Sequence, residues 1–203
     1  YEGVDDRENY GEHDIKIVNI IDLNSLDTKV LVEGLSDEAV AISESNRFLA
    51  WVDPSAVRGS DTIHMIDFVT EKVTDVTGSA SDYVKPLGFM QEDFVYGVAK
   101  SADVVVDAAG NTLFPMYQVK IMDTSSEEHE VLKTYEKPGY YVQNIAISGY
   151  TIYLNRIQNN GTAYVDADQD MIMNREGDSL KVVDTATKNT DEKETQVLIT
   201  LQD

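Results

Sequence analysis

Residues 116–123 read MYQVKIMD: β-branched, aromatic and polar side chains mixed in one short run, closing on an apolar residue followed by aspartate. Short runs of this composition bounded by turn residues read as β-strands. The same closing pair recurs along the chain. IKIVNIIDL at 15–23 carries Ile21-Asp22, TIHMIDF at 62–68 carries Ile66-Asp67, and Met122-Asp123 and Val183-Asp184 follow, with successive aspartates 45, 56 and 61 residues apart. Short strands repeating every roughly 40 to 60 residues predict the blades of a β-propeller, each a four-stranded antiparallel sheet.

The remaining strands fall where such a unit needs them. After each aspartate comes a polar turn and a further strand, at 29–33, 72–77, 130–135 and 195–201. Between these lie pairs of strands at 39–43 with 47–52, 84–90 with 93–99, and 142–148 with 151–156, joined by turns short enough for hairpins. No long amphipathic helix pattern interrupts them. The expected organisation is therefore all-β, with about three and a half blades: a partial blade at 1–35, then blades at 36–78, 79–137 and 138–203. Residues 1–14 are acidic and poor in apolar side chains, which favours a larger ring of roughly six to eight blades over the alternative, a closed four-bladed ring in which they would supply the missing strands. The chain starts at Tyr1 rather than Met, which fits a processed or excised segment.

Composition excludes several classes of function. The 203 residues hold 16 Lys plus Arg against 37 Asp plus Glu, a formal net charge of −21. Affinity for nucleic acid and for anionic membrane surfaces rests on clustered basic residues, and no basic stretch exists here. Apolar residues make up 42% of the chain, enough for a core and unlike a disordered acidic tail. No apolar run approaches the roughly 18 residues that span a bilayer as a helix. There is no cysteine, so disulfides, thiolate metal sites and cysteine nucleophiles are absent.

Few residues suggest chemistry. Asp166, Asp168 and Asp170 alternate in VDADQDMIMN, and on a tight loop such carboxylates converge on Ca²⁺; they are the candidate metal ligands. Met171, however, stands where a calcium-binding helix-loop-helix has Gly, and Gly177 where it has Glu, so a solvated acidic loop is the competing reading. Two insertions, at 100–115 and 158–179, contrast with the short connection at 53–61. Long loops on rigid scaffolds often carry function, which makes these two the expected binding surface, with Asp103, Asp107 and Asn111 clustered in the first. The run from Asp107 to Asn111, and Asn160-Gly161-Thr162 with its glycosylation-acceptor pattern, also read as plain turns. His13, His64 and His129 accompany no Gly-x-Ser-x-Gly elbow, so no catalytic residue is assigned. Trp51, Tyr96 and Tyr153 are expected to pack between sheets, and the four repeat aspartates to cap turns at strand ends.

The segments AISESNRFLAWVD, GFMQEDFVYGVAK and IAISGYTIYLNR, followed by MYQVKIMDT or LKVVDTAT, resemble the TolB-like extracytoplasmic β-propellers of bacteria, above all surface or lipoprotein propellers of Gram-positive species. The resemblance extends from Ile15 onward, but its motifs are structural, and the sequence boxes of other propeller classes are missing. It implies a blade scaffold outside the cytoplasm with a non-catalytic role, binding a protein or carbohydrate partner without a cofactor. The competing expectation is a carbohydrate-active or lyase-type propeller enzyme that uses acidic residues, with calcium at Asp166, Asp168 and Asp170.

Overall fold

A computed structural model describes residues 16–21, 26–56, 58–108, 110–173, 183–189 and 195–201. The chain divides into two compact units, Tyr1–Ile172 and Met173–Asp203. The described residues are all-β and the sheets antiparallel, apart from a short 3-10 turn at Asp37–Ala39.

In the first unit, β1 (Lys16–Ile21) and β2 (Thr28–Leu35) form a hairpin. The strands β3 (Val40–Ile42), β4 (Phe48–Val52), β5 (Thr62–Asp67) and β6 (Lys72–Thr77) make a four-stranded meander. Next come β7 (Asp82–Met90) and β8 (Asp93–Lys100), a small hairpin of β9 (Val105–Val106) and β10 (Thr112–Leu113), then β11 (Met116–Met122) and β12 (Val131–Glu136). β7, β8, β11 and β12 pair in that order as a second meander. β13 (Tyr141–Ser148), β14 (Thr151–Asn159) and β15 (Tyr164–Met173) form the third sheet, which joins the second at one residue pair, Met116 with Val142. The second unit holds the hairpin of β16 (Val183–Asn189) and β17 (Thr195–Leu201).

Three apolar clusters separate these layers. Leu35, Leu49, Trp51 and Ile66 lie between the first hairpin and the first meander. Phe48, Ala50, Ile63 and Met65 of that meander meet Val84, Phe94, Tyr96 and Val98 of the second. Val95, Ala99, Met116, Val119 and Ile121, from the other face of the second meander, meet Val142, Ile152, Leu154 and Ile172 of the third sheet. Successive side chains of a strand point to opposite faces, so a sheet covered on both sides needs apolar residues at consecutive positions. FLAWV in β4 and FVYGVA in β8 have that pattern, and nearly every residue in them is buried. The first strands are neighbours across the layers, since β7 lies against both β3 and β13.

The few buried polar groups are bonded, as burial requires. Asp82 accepts Lys100 Nζ at 2.6 Å, the Tyr117 hydroxyl at 3.0 Å and the Ser79 hydroxyl. The repeat aspartates act at strand ends as expected where their side chains are described. Asp67 accepts the Val69 amide at 2.9 Å, and Asp123 accepts the Ser125 amide at 2.8 Å and its hydroxyl at 2.6 Å. Asp22 lies outside the described residues, and Asp184 is placed in β16.

Two expectations change. Residues 164–173, read as part of an insertion, form β15 and pair with β14 in the third-strand place that the repeat gave to Val183-Asp184. The expected segment 138–203 is therefore divided between the two units. Tyr153 is 36% exposed, unlike Trp51 and Tyr96. Ile152 and Leu154 face the second meander, so Tyr153 points the other way: a one-residue offset in alignment exchanges the faces.

Phe94 is 0% exposed, with its ring 5.1 Å from Phe89 and 5.7 Å from Tyr96. Phe94→Ala is expected to cost about 3 to 5 kcal/mol in denaturant unfolding. A Cβ on Gly97 would come within 2.0 Å of Met116 Sδ, so Gly97→Ala is expected to cost about 1 to 3 kcal/mol despite its small size. The Asp67 carboxyl is held well below its ordinary value of 3.8, chiefly by the Arg47 guanidinium, which donates Nε at 3.0 Å and Nη2 at 2.8 Å. A carboxyl depressed on folding stabilises fully above its unfolded value and loses that contribution as pH falls below it. Asp67→Asn is therefore expected to lower the melting midpoint at neutral pH, with the gap from the wild type closing as pH drops below 3.8.

Candidate binding groove

Both expected insertions are hairpins. The first, β9–β10, is closed by Asp107, whose carboxylate accepts the Asn111 amide N–H at 2.8 Å and Nδ2 at 2.9 Å while its own N–H reaches the Asn111 carbonyl at 2.9 Å. Gly110 takes a φ of +87°, a conformation that costs glycine little. Val104 and Phe114, on either side of the hairpin, are both buried in the core, and Arg58 Nη2 donates to the Val104 carbonyl at 2.9 Å. The stem is thus fixed by apolar burial at both ends.

The second hairpin, β14–β15, turns at Asn160. Its Oδ1 accepts the amides of Thr162 at 3.0 Å and Ala163 at 2.9 Å and the Thr162 hydroxyl at 2.9 Å, and Gly161 takes a φ of +94°. At the base sits Arg156, 6% exposed. It donates Nε to the Asp168 carbonyl at 2.6 Å and Nη1 to Asp170 at 3.0 Å and to the Tyr135 hydroxyl at 3.3 Å. Its guanidinium also lies 4.4 Å from the Tyr140 ring centre. Asp170 is held below its ordinary range, first by the Met171 amide and then by the Tyr135 hydroxyl and the charges of Arg156 and Lys137, against the opposing effect of burial.

Between the hairpins runs an open groove of about 580 Å³. Val105, Leu113 and Ile157 supply its apolar part; Asp107, Asn111, Gln143, Tyr164 and Asp166 supply polar groups, and among the described residues no Lys or Arg lines it. The Tyr164 ring meets Tyr141 edge-on at 5.3 Å and 87°. Burial and then the nearby Asp103 charge push the Tyr164 hydroxyl above its ordinary pKa. Among the described residues, the side chains of Asp166 and Gln143 have no hydrogen-bond partner. The groove therefore offers carboxylate, amide and hydroxyl groups beside an apolar floor.

The expected loop of Asp166, Asp168 and Asp170 is the strand β15, and the structure does not bring the three carboxylates together. A strand rises about 3.3 Å per residue, which spreads such a set over roughly 13 Å, whereas Ca²⁺ ligands lie about 2.3 to 2.6 Å from their ion. Asp166 lines the groove while Asp170 is paired with Arg156. No group of three or more His, Cys, Asp or Glu able to hold a metal ion occurs among the described residues. His64 lies 2.7 Å from Asp75 across the β5–β6 pair, and His129 is held between the Asp123 carbonyl and Thr74; neither lines the groove. Asp107, Asn111 and the insertions were visible in sequence. Gln143 and Ile157, from β13 and β14, were not, because nothing local marks a strand residue as a groove wall.

No family model matches the chain, and no curated protein does. Among solved structures, a chain from a crystal structure of a mitotic checkpoint complex is similar with a TM-score of 0.42 and 11% identity. The match covers 83% of this chain and 47% of that one, so this chain spans about half the length of its matched neighbour.

Arg156 is buried, whereas Asp170 is 33% exposed and keeps Lys137 at 3.6 Å, so the loss on removing Arg156 is chiefly that of its charged hydrogen bonds and packing, about 1.5 to 3 kcal/mol. Arg156→Ala is expected to lose about that much in denaturant unfolding, and hydrogen exchange is expected to speed up at 164–170 more than in β4 or β8. Because the aspartates of β15 are spread along a strand, millimolar calcium is expected to leave the melting midpoint unchanged. A specific ligand would raise it by mass action.

Proposed function

We propose that the chain is a segment of a β-propeller that serves as a non-catalytic binding module, holding its ligand in the groove between the β9–β10 and β14–β15 hairpins. The observation that carries this reading is that the inserted β9–β10 hairpin and the β14–β15 hairpin of the next sheet, each anchored in the core at its base, wall one groove. Support for the propeller comes from the face-to-face layers and from β7 lying beside both β3 and β13, the arrangement of inner strands in adjacent blades. A ring larger than this segment fits the repeat count. Placement outside the cytoplasm follows the resemblance to TolB-like propellers. The groove has the mixture of apolar wall and convergent polar groups found in ligand sites.

The test is an array of short peptides and neutral oligosaccharides, probed with the wild type and with Ala163→Trp, which places an indole in the groove at an exposed position. Ligands bound by the wild type are expected to be lost by Ala163→Trp at an unchanged melting midpoint, and to be recovered unaltered in mass. Hits indifferent to the substitution would overturn the groove, and chemical conversion of a hit would overturn the non-catalytic role.

A further inference from the structure

Resting on that groove as the binding site, we infer that its ligand is an extended peptide segment carrying Lys or Arg side chains. Asp107 and Asp166 are among the groove's lining residues, no Lys or Arg is among those described, and Asp103 stands near enough to Tyr164 to bear on its ionisation. The molecule as a whole carries a formal charge of −21, so an anionic ligand meets repulsion at long range and again on arrival. A small cation alone would leave the apolar floor of Val105, Leu113 and Ile157 uncovered.

Lysine and arginine match both features at once. Their aliphatic stems lie along apolar surface while the charged head stays with polar groups, the arrangement long basic side chains adopt elsewhere. Here the stem is covered by Val105 and Leu113, and the head meets the Asp166 carboxylate and the Gln143 side-chain carbonyl. Asp107 adds negative charge while remaining bonded to Asn111. A neutral sugar is the poorer fit. The aromatic side chain in the groove lining, Tyr164, is already engaged edge-on by Tyr141.

The probe is the fluorescein-labelled peptide Gly-Lys-Val-Lys-Val-Lys-Gly, followed by anisotropy at physiological ionic strength beside analogues with norleucine or Glu in place of Lys. The lysine peptide is expected to bind the wild type, to weaken by about tenfold with Asp166→Asn and to be lost with Ala163→Trp. Glu127→Gln, an exposed carboxylate outside the groove, is expected to leave binding unchanged. Equal binding by all four proteins would reduce the effect to attraction by net charge and overturn the proposal. If norleucine or oligosaccharide ligands bind in an Ala163-sensitive manner and the lysine peptide does not, the groove stands and the basic class falls. Failure of every ligand, oligosaccharides included, overturns both.

Discussion

Alternate side chains of β8 look into two different cores, and the rest of the first unit depends on this. Phe94, Tyr96 and Val98 close the layer against the first meander, while Val95 and Ala99 close the layer against the third sheet. A strand used in this way has no solvent face to tolerate polar residues, so its sequence must be apolar without alternation, whereas the outer strand β12 of the same sheet is exposed along nearly its whole length. The sheet must also keep its layers at a fixed separation. Gly97 meets that second condition in β8: Met116 from β11 occupies the space that any side chain there would need. Exposed polar residues consequently gather on the outer strands β6 and β12, at strand ends, in turns and in the two hairpins.

That restriction explains why the chain can be so acidic and still fold. The described carboxylates lie almost wholly where water or a specific donor reaches them: Asp53, Asp67 and Asp123 in turns bonded to a following residue, and Asp82 within a closed set of Lys100, Tyr117 and Ser79. The stacked core contributes the cohesion, and the acidic rim sets what can approach. Between them the hairpins have stable stems and exposed tips, which is how a rigid scaffold presents a surface whose composition can vary without loss of the fold.

Much of the strand order was legible because turn chemistry and the repeat agree. Asp67 and Asp123 end their strands by the same side-chain-to-amide bond, so the motif that located the strands has a direct physical cause. The misreadings have causes too. VDADQDMIMN carries enough polar residues to pass for a loop, yet Asn160 closes a tight hairpin ahead of it and Arg156 bonds to it from β14, which together hold it as a strand. Tyr153 shares its place in the repeat with Trp51 and Tyr96, but position within a repeat does not fix which face a residue takes. Of the groove, the inserted walls could be seen in sequence and the strand-borne residues could not, because their meeting depends on how two sheets stack.

Among the described residues β15 ends its sheet, and its ten residues make a long edge. Unpaired edges invite a second chain to continue the ladder. Asp166 and Asp168 stand on it at alternate positions, and charged side chains on an edge strand disfavour such pairing. The acidity of this chain therefore bears also on what its outermost described strand can join.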